Sequence, residues 1–140
     1  MSRIPTDFSL SLEQLTGVVE GDPRDAPTPM VAAIYRSWRK PLDQLTDEEI
    51  RRLVVQLYGF PYLLDLVMPK LEADPLYEGS YYPGDVLSPL LRAGPDIWLL
   101  RPEYQDRLRS LYERALSRPS DENDAFRESL GLPDVGAASS

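Results

Sequence analysis

Fourteen prolines punctuate this 140-residue chain, and most of them stand between stretches whose apolar residues recur every three or four positions. A proline locks φ and has no N–H, so it is tolerated in a first helical turn but breaks a helix interior or a central strand. Sustained apolar–polar alternation, the mark of a half-buried strand, is absent. The chain is therefore read as all-α: an irregular bundle of about six or seven short helices joined by proline-rich turns, or stacked pairs of antiparallel helices. No internal period supports a repeat array.

Start and stop signals place the helices. The first is expected from Leu10 to Thr16, stopped by Gly17, and the prolines of Val18 to Pro29 exclude regular structure in the next loop. Thr28 caps a second helix with Pro29 at its first position, an inner stripe of Met30, Ile34 and Trp38, and an end marked by Pro41. Thr46 and Glu49 form a capping box for the third, with Ile50, Leu53, Val54, Leu57 and Tyr58 on one face and Gly59 as the left-handed closing residue.

The fourth helix, Pro61 to Ala73, is apolar around most of its circumference and is expected at the centre of the bundle. Pro69 should kink it or end it early. Asp65 within it is expected to face outward or to cap a neighbouring helix, the alternative being a buried acid with a raised pKa. For the fifth helix, Pro89 is compatible only with a start at about Asp85. Asp85 is then the N-cap, and Tyr82 to Asp85 form a type II turn with Pro83 and Gly84 at its centre. A short turn follows at Ile97 to Leu99. A long helix is predicted from Pro102 to Arg118 with a stripe of Tyr104, Leu108, Leu111, Tyr112, Ala115 and Leu116. Ser120 caps a last helix that ends at Leu130 before Gly131. Residues 1–131 are read as one domain, with 132–140 as a flexible tail.

This length supports a single hydrophobic core without covalent staples. With no cysteine and no histidine, disulfides, thiolate metal sites and the commonest acid–base group are excluded, and a reducing, cytoplasmic setting is expected. The first residues carry polar groups before any apolar run develops, so no leader or membrane span is predicted there. A net charge of −8 opposes binding to nucleic acid or anionic membranes and favours a basic protein partner.

Asp47, Glu48 and Glu49, like Asp121, Glu122 and Asp124, lie in first helical turns, where acids complement the helix dipole. Arg36, Arg39 and Lys40 are read as partners of nearby acids. Phosphate loops, calcium loops and serine elbows are missing, so the chain is read as a non-enzyme without cofactor or metal.

Between Leu71 and Leu91 stand four acids, three tyrosines and no basic residue. Carboxylates steer a cationic partner and tyrosines supply interface contact area, which makes Glu72, Asp74, Tyr77, Glu78, Tyr81, Tyr82 and Asp85 the candidate binding residues. For Tyr81, Tyr82 and Asp85, packing and capping of the Pro83–Gly84 turn is an equal reading. For Glu72 to Glu78 no capping task is visible.

The run LEQLTGVVEGDP (Leu12 to Pro23), followed by RKPLDQLTDEEIRRLVVQLYGFPYLLDLVMPKLEADPLYEGSYYPGDVLSPLLR (Arg39 to Arg92), resembles the small bacterial immunity proteins of contact-dependent growth inhibition (CDI) systems. The resemblance lies in the order of segments: L-E-Q-L, G-D-P, R-K-P-L before a capping box, G-F-P-Y-L, then E-x-D-P and Y-P-G-D. It implies a cytosolic protein that binds and blocks the toxic C-terminal domain of a cognate inhibitor. Many such toxins are nucleases, some similar to pancreatic-type ribonucleases. The expectation is a monomer that neutralises a basic toxin domain by occluding its active site. The alternative is a non-catalytic helical adaptor of another pathway.

Overall fold

The computed structural model describes residues 5–132. Over that span the chain is all-α, an irregular bundle of eight α-helices and three 3-10 turns. The helices are α1 (Leu12–Thr16), α2 (Pro29–Trp38), α3 (Asp47–Val55), α4 (Tyr62–Ala73), α5 (Leu87–Arg92), α6 (Pro102–Gln105), α7 (Leu108–Leu116) and α8 (Ser120–Ser129). The 3-10 turns are Pro23–Asp25, Leu42–Gln44 and Pro95–Trp98, so the loop after α1 does contain one regular turn. Leu42 and Asp43 donate backbone N–H groups to the carbonyls of Leu10 and Phe8 at 3.0 and 2.9 Å, tying the start of the chain to the end of α2.

The helix starts follow the caps. Thr28 Oγ1 accepts from Val31 N–H at 3.1 Å with Pro29 in the first turn. Thr46 and Glu49 make the reciprocal capping box. Ser11 and Gln14 form another ahead of α1, and Gly17 closes that helix at φ 72°.

Centrality of α4 follows from its composition. Leu63, Leu64, Leu66, Val67, Met68 and Leu71 are all buried, each contributing about 2 kcal/mol of burial. The helix runs through Pro69 to Ala73 without ending early. Pro69 is exposed while Met68 and Leu71 are 1 % and 0 % exposed. Burial of those flanking side chains outweighs the roughly 1 kcal/mol of the lost backbone bond.

Several elements depart from expectation. Met30 is 47 % exposed, and the inner face of α2 is Ile34, Ser37 and Trp38. Ser37 takes the inner place because its hydroxyl is satisfied by the Ala33 carbonyl at 3.0 Å and by Glu49 at 3.1 Å. Helix α3 stops at Val55, and the left-handed residue that closes it is Leu57 at φ 58°. Tyr58 N–H reaches the Leu53 carbonyl at 2.9 Å and Leu57 N–H the Val54 carbonyl at 3.0 Å, the paired bonds of a Schellman closure. Leu57 is consequently 48 % exposed, whereas Tyr58 turns inward and meets Trp38 edge-to-face with ring centroids 6.2 Å apart. Gly59 (φ 84°) opens the approach to α4, where an added Cβ would stand 2.7 Å from Leu12 Cδ1.

The helix expected from Pro102 to Arg118 is two helices, parted at Asp106 and Arg107. Tyr104 on α6 is held to α4 by its hydroxyl, which donates to Asp65 at 2.8 Å, while α7 turns Leu111 and Ala115 into the core beside α8. Ser120 is the first residue of α8 and makes no capping bond; Pro119 occupies the N-cap position.

Asp65 is neither outward-facing nor a helix cap. It is 9 % exposed and receives Nε and Nη2 of Arg101 at 2.8 Å each, with Thr6 and Tyr104 hydroxyls beside them. Burial pushes its carboxyl up, but Arg101, Thr6 and Tyr104 outweigh it and hold the group below the usual carboxylate range. Lys40 pairs with Glu49 at 2.7 Å and Arg39 approaches Glu13 at 3.6 Å. The tail expected over 132–140 lies, from 133 on, outside the described residues. Leu132 itself donates to the Arg127 carbonyl at 3.0 Å.

Candidate partner-binding face

The acidic tyrosine stretch leaves α4 through a tight turn. Asp74 accepts from Leu76 N–H at 3.0 Å on its side chain and from Tyr77 N–H at 2.9 Å on its carbonyl. Gly84 N–H then returns to the Leu76 carbonyl at 3.0 Å, closing a loop over residues 77–83. Tyr82 to Asp85 form the turn, with Asp85 N–H donating to the Tyr82 carbonyl at 3.1 Å and Gly84 at φ 92°, as a type II turn requires. A Cβ on Gly84 would stand 2.6 Å from Phe126 Cδ1, so this residue also lets the loop seat on α8.

Asp85 is 2 % exposed. Its carboxylate collects the N–H groups of Gly79 (2.6 Å), Ser80 (3.1 Å), Tyr81 (2.8 Å) and Tyr82 (3.4 Å). It therefore staples the loop that precedes it instead of capping α5, whose N-cap position belongs to Val86. Pro89 still falls in the first turn of α5, where it displaces no helical bond.

The loop is laid against α3. Tyr77 Oη donates to Asp47 Oδ1 at 2.6 Å. Burial, the bond to Asp47 and the negative charges of Asp47 and Asp85 push the Tyr77 hydroxyl well above the usual phenol range. Gly79 lies on Arg51, where a Cβ would come within 2.4 Å of Arg51 Cβ. Arg51 Nε donates to Ser80 Oγ at 3.2 Å, and its guanidinium carbon stands 3.7 Å from the centroid of the Tyr81 ring. Tyr81 is nonetheless 69 % exposed.

The candidate residues thus separate. Glu78 and Tyr81 project from the loop into solvent, and Glu78 has no ion pair or hydrogen bond among the described residues. Tyr77, Tyr82 and Asp85 shape the loop. Glu72 and Asp74 are exposed but engaged by α7 and the residues that flank it on either side. Glu72 faces Arg107 and Arg114 at 3.8 and 3.5 Å, and Arg118 bridges Asp74 and Glu122 at 3.0 and 2.7 Å. At the start of α3, Asp47 and Glu48 are exposed as well; Asp47 holds the residue before Glu78 through the Tyr77 hydroxyl, and Glu48 pairs with Arg52 at 3.0 Å. Sequence reasoning read those two acids as dipole partners and passed over Arg51, since nothing local marks an arginine as the bed of a loop 29 residues away.

Among the described residues, no group of three or more acids is placed to hold a metal ion, and no helix is long and apolar enough to cross a membrane. The arrangement is a hydrogen-bonded, polar-aromatic loop with Glu78 and Tyr81 exposed, the chemistry of a macromolecular contact surface. No curated protein and no solved structure matches the chain. The family model for CDI immunity proteins matches residues 14–108, from within α1 to the start of α7, with the stapled loop inside the matched span. The chain belongs to the family of CDI immunity proteins.

Proposed function

We propose that this immunity protein neutralises a CDI toxin by seating the 77–82 loop and the acidic start of α3 against a cationic nuclease active site. The observation that carries the reading is the stapled loop: the Asp85 carboxylate fixes four consecutive N–H groups, so little conformational entropy is lost when Tyr81 and Glu78 meet a partner. A nuclease must present positive charge to hold phosphate, and carboxylates on a rigid scaffold occupy that site without being cleaved. Glu78 supplies such a carboxylate, Asp47 and Glu48 add negative charge beside their bonds to Tyr77 and Arg52, and Tyr81 supplies contact area. Tyr77, Tyr82 and Asp85 hold the loop in shape. Glu72 and Asp74 flank it and exchange their internal arginine partners for toxin cations. The protein acts as a monomer in the cytoplasm, binds no nucleic acid itself and uses no cofactor.

The test is co-expression with the cognate CDI toxin domain, together with calorimetric titration of the purified pair. Glu78→Lys and Tyr81→Ala each weaken binding about tenfold or more and reduce protection, with melting temperature unchanged. Wild-type affinity in both variants moves the interface elsewhere. The toxin alone should degrade nucleic acid and lose that activity on addition of the immunity protein. A toxin without nuclease activity removes the occlusion mechanism.

A further inference from the structure

Beside the stapled loop runs a groove of about 480 Å³ between α2 and α3, bordered by Met30 and Ala33 on one side, Arg51, Arg52 and Val55 on the other, and Tyr81 at its end. Its apolar members are open to solvent: Met30 is 47 %, Val55 42 % and Tyr81 69 % exposed. Exposed apolar side chains scattered singly need no explanation, but three on one concave surface mark a contact face.

Both arginines are internally engaged. Arg52 Nη2 meets Glu48 Oε1 at 3.0 Å, and Arg51 is held by Ser80 and the Tyr81 ring. The groove therefore offers methylene stems and guanidinium planes, not unsatisfied positive charge. Charge enters from one end. Asp47, Arg51 and Val55 succeed one another at four-residue spacing on α3, so the acidic first turn of that helix leads directly into the apolar part of the groove. Glu78 stands on the adjoining loop.

We propose that this groove is the anchor pocket of the toxin interface, receiving one bulky apolar or aromatic side chain from a toxin segment whose neighbouring residues are lysine or arginine. Charge complementarity selects that occupant: the apolar recess accepts the anchor while Glu78 and the exposed Asp47 meet the flanking cations. Tyr81 is shared between the loop and the groove and joins them into one continuous surface. The inference rests on the toxin-facing role of the loop.

The experiment titrates the cognate CDI toxin domain into Ala33→Trp, which fills the groove, and Val55→Asp, which makes it polar. Each should weaken binding tenfold or more with melting temperature unchanged. The chain has no cysteine, so Gln56→Cys carrying an environment-sensitive fluorophore supplies a second readout, with a blue shift expected when toxin is added. Wild-type affinity in both groove variants together with an unshifted label overturns the anchor pocket. If Glu78→Lys weakens binding in that case, the toxin-facing loop stands without the groove. If wild-type protein does not bind the toxin at all, both fall. A wild-type dimer in sedimentation that Ala33→Trp abolishes gives the groove to a second copy of this chain and also overturns the proposal.

Discussion

Arg51 lies beneath Tyr81, with its guanidinium carbon 3.7 Å from the ring centroid, and through that contact α3 fixes the orientation of the most prominent side chain on the 77–82 loop. Lysine keeps the charge at this position but not the planar stack or the bond from Nε to Ser80. Arg51→Lys should therefore weaken toxin binding about tenfold and speed hydrogen exchange of the Gly79 to Tyr82 amides, while the melting temperature changes little. Unchanged exchange and affinity would show that the Asp85 staple orients Tyr81 unaided.

The buried pair of Asp65 and Arg101 makes a stability prediction of a different kind. Asp65→Ala leaves a guanidinium buried without its carboxylate and should cost about 3–5 kcal/mol in thermal or denaturant unfolding. The double replacement Asp65→Leu with Arg101→Met removes both charges and should recover most of that loss. If the double variant is as unstable as the single one, packing of Arg101 and not its charge is what Asp65 supports.

Glu49 couples stability to pH. Burial pushes its carboxyl up, but Lys40, Thr46 and Ser37 outweigh burial and hold it at about 2. A depressed folded-state pKa means stability that is present above the unfolded pKa of about 4.3 and lost as pH falls toward 2. Its size is at most roughly 3 kcal/mol. Glu49→Gln should therefore be destabilised relative to wild type at pH 7, with the gap closing between pH 5 and about 2 in urea titrations. A gap independent of pH would exclude the linkage.

Leu57 and Gly59 should respond in opposite senses. Leu57 sits at φ 58° with half its side chain in water, a conformation that costs a non-glycine residue about 1 kcal/mol. Leu57→Gly should raise the melting temperature by a few degrees. Gly59→Ala should lower it by more, because φ is 84° and the new methyl would meet Leu12 at 2.7 Å. A fall in both variants would mean that Leu57 makes a contact worth more than its strain.

Local chemistry was legible where a few neighbouring residues decide the outcome. Thr28 with Pro29, Thr46 with Glu49, and Pro83 with Gly84 each satisfy or forbid particular backbone groups within one turn, and the structure forms the expected elements there. The apolar circumference of α4 likewise predicted its central place. Harder were points at which two local rules compete. Gly59 offered itself as the closing residue of α3, yet Tyr58 packs on Trp38 and the left-handed position passes to Leu57. Asp85 was legible as architectural, but its carboxylate turned to the loop and not to α5, because four N–H groups lie within its reach on that side.

The identity of the free charges belongs to tertiary structure alone. Between Leu71 and Leu91 the chain reads as uniformly acidic; composition determined an acidic, cysteine-free protein, and residue order determined its helices and the tyrosine-rich segment after the most apolar of them. Folding brings arginines from 42 and 44 residues away onto Glu72 and Asp74, buries Asp85, and leaves Glu78 exposed without an ion pair among the described residues. Coulomb interactions depend on distance in space, and neither helical period nor capping preference carries that distance between segments so far apart along the chain.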